Sequence, residues 1–338
     1  MKEFKQFQFR ADFLRVGENS RSGDCICLQW GELSNKGIVN PFVMVIDGGF
    51  ASNAKALSMK LRELIGDCDI NILLNTHPHQ DHLGGMSRFL DEFKINQVVL
   101  HQPWCHESLR QCLGVDERGN PNLAMMEQKG LKSTYDFFKC AKGHAGTRLE
   151  EWWGGQSFEF RGTRICVLSP YRDRYDLLVD KFGNASPAET IPESNGSEDG
   201  APCDNSPENN SCYVLAFSFP GKSKKWVLLT SDVGTDAFDS VLDNLSEFGL
   251  SPNWLRLFQV PHHGSIQNLN SLQLDKLLGC PEDAKERSAG RGFAVVSVAE
   301  HADEEHPHLQ IVEWLKERNM KVSTTKPGTY TYKLTVGF

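Results

Sequence analysis

Short apolar runs, separated by polar or glycine-containing segments, recur along the first third of the chain. They lie at residues 9–14, 25–30, 43–46, 70–74 and 98–101. Runs of this length that end in turn residues are typical of buried strands. Residues 54–65 and 85–93 between them are predicted helices. The pattern therefore predicts a first sheet that is covered by helices.

The second half of the chain repeats the pattern after a predicted helical insertion at about 105–151. Its predicted strands lie at 157–160, 164–168, 213–217, 226–230, 255–260, 293–298 and 322–325. Within the insertion, Met125-Met126 and Tyr135-Asp136-Phe137-Phe138 are apolar stripes that favour core packing. Two sheets with helices outside them make an α/β protein with a four-layer αββα sandwich. We predict a single domain over residues 1–338.

Residues 183–210 differ from the rest in composition. They are rich in Gly, Asn, Ser, Pro and Ala, contain six acidic residues and have no Lys or Arg. This composition predicts a disordered acidic loop. Without its six acids the formal net charge changes from −8 to −2. The loop is either a mobile lid over the site described below or a solvated insertion without a role, which surface loops tolerate well.

Composition places the chain among ordinary globular proteins. Of its 338 residues, 39% are hydrophobic and 24% are charged, which suffices for a full core. No apolar run approaches the length of a bilayer, and the polar start does not resemble a signal peptide, so we expect no membrane association. The ten cysteines form no CxxC pairs. That usage favours reduced thiols and a cytoplasmic protein.

The densest chemistry lies in the loop after the run 70–74. His77, His79, Asp81 and His82 place three imidazoles and a carboxylate within six residues. In an extended loop His77 and His79 can hold one cation, while Asp81 and His82 turn toward a second. Such ligands suit Zn(II), Mn(II) or Fe(II). The alternatives are a histidine-rich surface turn or core histidines, and neither explains four ligands in register.

This motif, His77-x-His79-x-Asp81-His82, resembles the signature of the metallo-β-lactamase superfamily. Upstream, residues 43–49 resemble the strand and aspartate that precede the signature there, with Asp47 as the aspartate. The resemblance implies the αββα fold, two divalent metal ions (Zn or Mn), and a supporting role for Asp47, which hydrogen-bonds the metal loop. On residue type alone, Asp47 could also be a turn residue before two glycines.

Further blocks are similar to the ComEC-type branch, known as the nuclease-like domain of DNA-uptake channels and as free-standing proteins. Three blocks carry this similarity, residues 209–215, 226–232 and 257–265. Residues 12–17, 22–25, 296–297 and 306–308 fit the same branch. The resemblance implies that Asp232 bridges both metals and that His262 is a ligand of the second. It implies that His263 lies near the substrate and protonates the leaving group. Asp232 could instead cap a turn.

One departure from the family pattern concerns the first metal. Asn209-Asn210-Ser211 stands where most members supply a third histidine. His77, His79 and Asp232 would then hold this metal alone, which implies weaker binding and a preference for Mn over Zn. His263 or His306 could complete the shell, so the last ligand stays open among His262, His263 and His306. Ser211 is a further candidate contact, and His306 could equally be a helix entry.

The resemblance implies a metal-dependent hydrolase in which a two-metal-bridged hydroxide attacks a phosphodiester, with Asp81 and His263 as catalytic residues. The substrate would be DNA, another nucleic acid or a small phosphodiester. The alternatives are a small-molecule hydrolase acting on a lactam, lactone, thioester or nucleotide phosphodiester, and a weakly catalytic partner protein.

The negative net charge of the chain argues against a long basic groove for nucleic acid. Local basic clusters are either solvated or in contact with substrate: Arg161, Arg164, Arg172, Arg174, and Lys222, Lys224, Lys225.

Overall fold

The computed structural model describes residues 6–183, 203–221, 223–285 and 292–337. The strands are β1 Gln6–Phe13, β2 Gly17–Glu18, β3 Arg21–Ser22, β4 Ile26–Ser34, β5 Gly37–Ile38, β6 Phe42–Ile46, β7 Ile72–Leu74, β8 Gln97–Val99, β9 Arg148–Glu150, β10 Ser157–Phe160, β11 Thr163–Ser169, β12 Val214–Ser218, β13 Trp226–Leu229, β14 Leu255–Gln259, β15 Gly292–Val296, β16 Met320–Thr324 and β17 Tyr330–Gly337. The α-helices are α1 Ala54–Ile65, α2 Gln80–Leu83, α3 Met86–Glu92, α4 Leu123–Gln128, α5 Lys132–Gly143, α6 Arg172–Val179, α7 Pro207–Asn210, α8 Thr235–Asn244, α9 Ser271–Leu278, α10 Pro281–Lys285 and α11 Leu309–Glu317.

The first sheet has the strand order β17-β1-β4-β6-β7-β8-β9, with β5 paired to β4. Strands β6 to β9 run parallel, whereas β1 pairs antiparallel with both β4 and β17. The sequence analysis did not predict β17. Its apolar residues Tyr332, Leu334 and Val336 alternate with polar ones and are buried, and this alternation is the sequence pattern of a strand. The chain therefore returns to its first sheet at the C-terminal end.

The predicted helical insertion at 105–151 is only partly helical. Its middle contains α4 and α5, but it ends in β9, which pairs parallel with β8 and extends the first sheet. α5 is thus the crossover helix between two parallel strands, and such a connection returns the chain to the same sheet. Lys132–Gly143 covers that sheet with buried Phe137 and Ala141.

The second sheet has the order β10-β11-β12-β13-β14-β15-β16, antiparallel up to β13 and parallel from β13 to β16. One core lies between the sheets and contains Phe9, Trp30 and Phe217. A second core joins the first sheet to α1, α3 and α5, and a third joins the second sheet to α8, α9 and α11. These layers confirm the four-layer αββα sandwich.

Three further predictions can be compared with the described residues. Residues 184–202 of the predicted acidic loop lie outside them, while 203–210 are described and end in the helical turn α7. None of the ten cysteines, all of which lie in the described ranges, is in a disulfide; four are buried, five are partly buried and Cys105 is exposed. None of the helices in the described ranges is both long and apolar enough to cross a bilayer.

Candidate metal centre

The candidate site lies where parallel strands of both sheets end. β6 and β7 are parallel neighbours, so Asp47 and the His77 loop leave the first sheet at one edge. β13 and β14 are parallel neighbours in the second sheet, and Asp232 and His262-His263 follow them. A hydrogen bond of 2.8 Å between the Thr76 and Ser231 hydroxyls joins the two edges. Ligands in α/β sheets commonly bind at such strand ends.

Four side chains bring one ligand atom each into a compact group. These atoms of Asp81, His82, Asp232 and His263 lie within 4.8 Å of one another. The Oδ2 atom of Asp232 is 3.1 Å from Nε2 of His82 and 3.6 Å from Nε2 of His263. Oδ2 of Asp81 lies 3.7 Å and 3.8 Å from the same two nitrogens. Two imidazoles and two carboxylates are thus aimed at one point.

Two polar atoms at this site lack a hydrogen-bond partner among the described residues, as expected of atoms that could bind a cation. Oδ1 of Asp232 and Nε2 of His263 are buried and have no hydrogen-bond partner among the described residues. A buried polar atom without a partner costs about 1–3 kcal/mol, so such atoms usually have a ligand or a water to contact. Nitrogen and carboxylate donors suit a divalent transition metal. The group can therefore hold a divalent metal ion.

Asp47 holds the metal loop without joining the group. Its Oδ2 is 2.7 Å from Nδ1 of His82 and accepts a 2.7 Å hydrogen bond from the Thr76 hydroxyl, while Oδ1 accepts from the Thr76 amide. Gly85 packs against Gly48, the residue after Asp47. A Cβ atom on Gly85 would lie 2.1 Å from the Gly48 carbonyl oxygen, so this position requires glycine. These are the contacts that a supporting aspartate requires.

Electrostatics keep the group charged. Burial alone would lower the pKa of His82, but Asp232, Asp81 and Asp47 together raise it well above its ordinary value. Burial likewise opposes ionisation of Asp232, yet His82, His263 and His262 hold its pKa well below the ordinary value. A cation would therefore displace the Nε2 proton of His82, and metal binding should release protons.

His77 and His79 form a separate pair. Nε2 of His77 lies 3.0 Å from Nδ1 of His79, so the two rings converge as the motif predicts. Burial, and after it the charge of His82, lowers the pKa of His77. Burial also lowers the pKa of His79, although nearby carboxylates act to raise it. Both rings are therefore neutral, as metal ligands must be. Within the described ranges, neither ring belongs to the four-atom group.

A family model matches the part of the sequence that contains this loop. The model of the metallo-beta-lactamase superfamily matches residues 42–109, which include Asp47 and the entire His77 to His82 motif. This segment of the chain is therefore similar to the metallo-β-lactamase superfamily. The comparison with curated proteins finds no match.

Solved structures are also similar to this chain, among them one of a metallo-beta-lactamase fold protein. YhfI from Bacillus subtilis is 13% identical, with 97% of this chain and 100% of that chain covered and a TM-score of 0.47. A diphosphatase from the PhnP family is 10% identical, with 98% and 100% covered and a TM-score of 0.44. A long-form RNase Z from yeast is 9% identical, with 86% and 37% covered and a TM-score of 0.44. Similarity at this level carries no argument about activity.

His262 and His263 differ in how they lie relative to the four-atom group. His263 contributes to the four-atom group and its side chain is only 6% exposed, whereas the side chain of His262 is 32% exposed. Nε2 of His262 is 3.7 Å from Oδ2 of Asp232. Both residues have positive φ, at 44° and 56°, a conformation that costs roughly 1–3 kcal/mol each and recurs at functional sites. In this turn both consecutive rings face the same oxygen, since Nε2 of His263 lies 3.6 Å from Oδ2 of Asp232, which residue spacing alone could not show.

The remaining predicted contacts are not brought into the group. The Ser211 hydroxyl is buried and donates to the Glu208 carbonyl, so it closes the turn α7. Nδ1 of His306 is 2.7 Å from Oδ1 of Asp303. Neither His306 nor His263 has a described contact with the His77-His79 pair, so neither completes it among the residues described.

Two site residues were not singled out from the sequence. Asp24 is buried beside the group, and burial raises its pKa against the charges of His263 and His82. Gln259 donates to Oδ2 of Asp24 at 2.9 Å and accepts from the amides of Thr230 and Ser231. It thereby ties the Asp232 turn to the Asp24 loop. The only sequence signal was Asp24 within the block 22–25, which was assigned no role.

Proposed function

We propose that this protein is a metal-dependent hydrolase that cleaves phosphodiesters, with two divalent ions, Zn or Mn. The observation that carries the proposal is the convergence of Asp81, His82, Asp232 and His263, two of whose buried atoms lack a protein partner among the described residues. Asp81, His82, His263 and Asp232 would hold one ion, and His77, His79 and Asp232 the other. Bound ions would act as Lewis acids and lower the pKa of a coordinated water.

In this proposal the proton donor is His262 rather than His263. His262 is the more exposed of the two rings, so a substrate can reach it. Burial alone would lower its pKa, but Asp232 and Asp204 raise the pKa of His262 to about 9. An imidazolium at this position would be able to protonate a leaving oxygen.

The substrate class rests on the ComEC-type resemblance of the sequence blocks and on this donor, because alkoxide leaving groups need a proton. A nucleic-acid end or a small phosphodiester fits an acidic chain with few basic clusters better than a long duplex does. The lack of disulfides among the cysteines supports a reducing compartment, and we propose that the protein is cytoplasmic.

A panel of substrates tests the proposal. The purified protein is assayed for bound metal and then incubated with Mn(II) or Zn(II) and linear single-stranded DNA, double-stranded DNA or bis(4-nitrophenyl) phosphate. We expect turnover, and a loss of at least about 10³-fold in the Asp81→Ala/His82→Ala variant. The matched control is Asp91→Ala/His144→Ala, an exposed pair whose atoms lie 4.0 Å apart, which should leave turnover unchanged.

Other outcomes narrow the proposal or replace it. Turnover of the small ester without DNA cleavage would identify a small-molecule phosphodiesterase. Turnover only of a lactam, lactone or thioester would identify a carbonyl hydrolase. Bound metal without turnover of any substrate would favour the weakly catalytic partner protein.

A further inference from the structure

We infer that Trp153 and Arg172 form a platform for a nucleobase of the substrate, at the edge of the first sheet that carries the metal loop. The base stacks on the exposed part of the Trp153 indole, and the Arg172 guanidinium pairs with a phosphate of the same strand. This role rests on the proposed function, because it takes a nucleic-acid phosphodiester to be the substrate at the metal centre. The bound chemistry is a base on a sugar phosphate, which DNA and RNA share.

Trp153 lies at the same edge as the His77 loop. Leu74 of β7, Val99 of β8 and Glu150 of β9 are in register across the parallel strands. His77 is the third residue after Leu74, and Trp153 is the third residue after Glu150. Neighbouring strands are about 4.8 Å apart, so two spacings separate Trp153 from the metal loop by roughly 10 Å. One or two nucleotides can cover this span.

The Trp153 ring is held firmly although it is partly exposed. The His101 ring stacks on it with centroids 4.8 Å apart, and the Tyr175 ring meets it at 63° and 5.5 Å. His101 also stacks on Tyr213 at 4.1 Å, and the Tyr213 amide donates to the Thr76 carbonyl beside the metal loop. A row of packed rings therefore joins Trp153 to that loop. An aromatic side chain held in this way loses little conformational freedom when a base stacks on it.

The packing of two loops places Arg172 beside Trp153. The Gly154 amide donates to the Pro170 carbonyl at 2.7 Å, and a Cβ atom on Gly154 would lie 2.8 Å from the Tyr171 ring. The Arg172 guanidinium carbon lies 5.8 Å from the centroid of the Trp153 ring. The Arg172 side chain is exposed and forms no salt bridge with any described residue. Its charge is therefore available to an anion.

Two of the neighbouring acids are paired elsewhere. Glu151 and Asp176 flank the platform in sequence, but both carboxylates contact the His106 ring, at 3.0 Å and 2.6 Å. Proteins that bind single-stranded nucleic acids combine an aromatic ring, on which a base stacks, with a cation that pairs with the backbone. The chain as a whole is acidic, so one such pair at the metal edge favours a short single strand over a long duplex.

Binding of short single strands to the metal-loaded protein tests the platform. The probes are labelled thymidine and uridine oligomers of about eight nucleotides, each with a matched abasic oligomer, and all have phosphorothioate linkages that resist hydrolysis. We expect the wild type to bind a base-bearing oligomer more tightly than its abasic match. Trp153→Leu should weaken binding of that oligomer at least about 5-fold, which corresponds to the loss of one stacked base, and leave the abasic oligomer unchanged.

The two sugar types are separate arms of this experiment. A preference for bases that depends on Trp153 in either arm supports the platform, and the arm that shows it identifies DNA or RNA as the better source of the base. Equal affinity of the wild type for base-bearing and abasic oligomers in both arms overturns the platform. Equal weakening of both kinds of oligomer in Trp153→Leu overturns it as well.

Trp254 provides the matched control. It is also partly exposed, and the Arg256 guanidinium carbon lies 5.8 Å from its ring centroid, the same distance as in the platform. Trp254 precedes β14, whereas the His262 turn follows it, so Trp254 lies at the opposite edge of the sandwich. Trp254→Leu should therefore bind every oligomer as the wild type does.

Arg172→Gln keeps the platform testable if Trp153→Leu does not fold, because the Arg172 side chain is exposed. It should weaken binding of base-bearing and abasic oligomers alike, and lower the slope of log affinity against log salt concentration by about 0.7, the contribution of one phosphate contact on a single strand. Arg62→Gln is the control, since Arg62 is an exposed arginine whose guanidinium carbon lies 4.3 Å from the Phe93 ring centroid. An unchanged slope in Arg172→Gln overturns the phosphate contact.

Two esters with the same leaving group separate this inference from the proposed function. Thymidine 5′-(4-nitrophenyl phosphate) has a base, whereas methyl 4-nitrophenyl phosphate has none. We expect Trp153→Leu to raise KM for the thymidine ester at least about 5-fold, with kcat and turnover of the methyl ester unchanged. If the wild type hydrolyses neither ester, the proposed function fails, and the binding experiment still decides whether the platform exists. If it hydrolyses both and Trp153→Leu changes neither KM nor oligomer binding, only the platform fails.

Discussion

Among the described residues, two buried clusters of imidazole and carboxylate groups differ in how their atoms are paired. In the metal centre, Asp81, His82, Asp232 and His263 converge. In the second cluster, called here the His106 clamp, Nδ1 of His106 lies 2.6 Å from Oδ1 of Asp176 and Nε2 lies 3.0 Å from Oε1 of Glu151. The clamp joins the loop after β8 to the end of β9 and to α6.

The clamp leaves none of its imidazole nitrogens unpaired. Both nitrogens of His106 face carboxylates, Asp176 also accepts from Ser108, and Glu151 accepts from the Gln102 amide at 2.6 Å. In the metal centre, by contrast, Oδ1 of Asp232 and Nε2 of His263 have no partner among the described residues. Since residue types and burial are alike, it is the unmet bonding capacity that marks one cluster as a binding site and the other as a structural tie.

The largest effect should come from Asp232→Ala. This change removes the carboxylate shared by three imidazoles, so we expect loss of bound metal and a fall in kcat/KM of at least about 10³-fold. Metal content and turnover of the best substrate are measured together. A variant that keeps its metal and stays within about ten-fold of the wild type would remove Asp232 from the centre.

The sequence could predict where the metal centre lies but not every residue that forms it. The His77 to His82 motif and the strand before Asp47 predicted the edge of the sandwich at which the centre lies, because short-range spacing determines which loop carries the ligands. The same spacing could not distinguish His262 from His263, since adjacent residues differ by a backbone rotation that depends on the left-handed turn.

Contacts between residues that lie far apart in sequence could not be predicted either. His106 belongs to no sequence motif, and its partners Glu151 and Asp176 lie 45 and 70 residues away in sequence. Asp204 lies 58 residues before His262, inside the predicted disordered loop. Contacts of this separation depend on the sheet order, which the apolar pattern does not specify.

The next effect is on stability. His106→Leu leaves Glu151 and Asp176 without their shared imidazole, so the free energy of unfolding should fall by about 3 kcal/mol. Urea unfolding measures it, and metal content and turnover should stay at wild-type values. His144→Leu is the control, because its 36% exposed ring should change stability by less than about 0.5 kcal/mol. Loss of metal in His106→Leu would show that the two clusters are coupled.

A smaller effect is expected from Asp47→Asn. The amide keeps the shape of the residue but lacks the charge that holds His82, so metal affinity should weaken by about 10–100-fold. Competition with a chromophoric chelator measures this affinity. Asp12→Asn is the control, since Asp12 is also a buried carboxylate of the first sheet but pairs with Arg10. Equal affinities in wild type and Asp47→Asn would limit Asp47 to a role in the fold.

The smallest effect is the pH dependence of the clamp. Burial lowers the pKa of His106, but the hydrogen bond and charge of Glu151, with those of Asp176, outweigh it and raise the pKa above its ordinary value. A raised folded-state pKa adds stability that is complete below the unfolded value of about 6.5 and is lost as pH rises through the folded-state value. The clamp should therefore stabilise the protein most in mildly acidic solution.

Histidines of the metal centre also titrate, so the informative quantity is the unfolding free energy of wild type minus that of His106→Gln. This difference should be largest at low pH and decrease as the pH rises, because only the wild type has a proton to lose at the clamp. Urea unfolding of both proteins over a series of pH values measures it. A difference that is constant from about pH 6 to 9, the range in which a histidine with a raised pKa loses its proton, would mean that His106 is neutral in the folded protein and that Glu151 and Asp176 do not share an imidazolium.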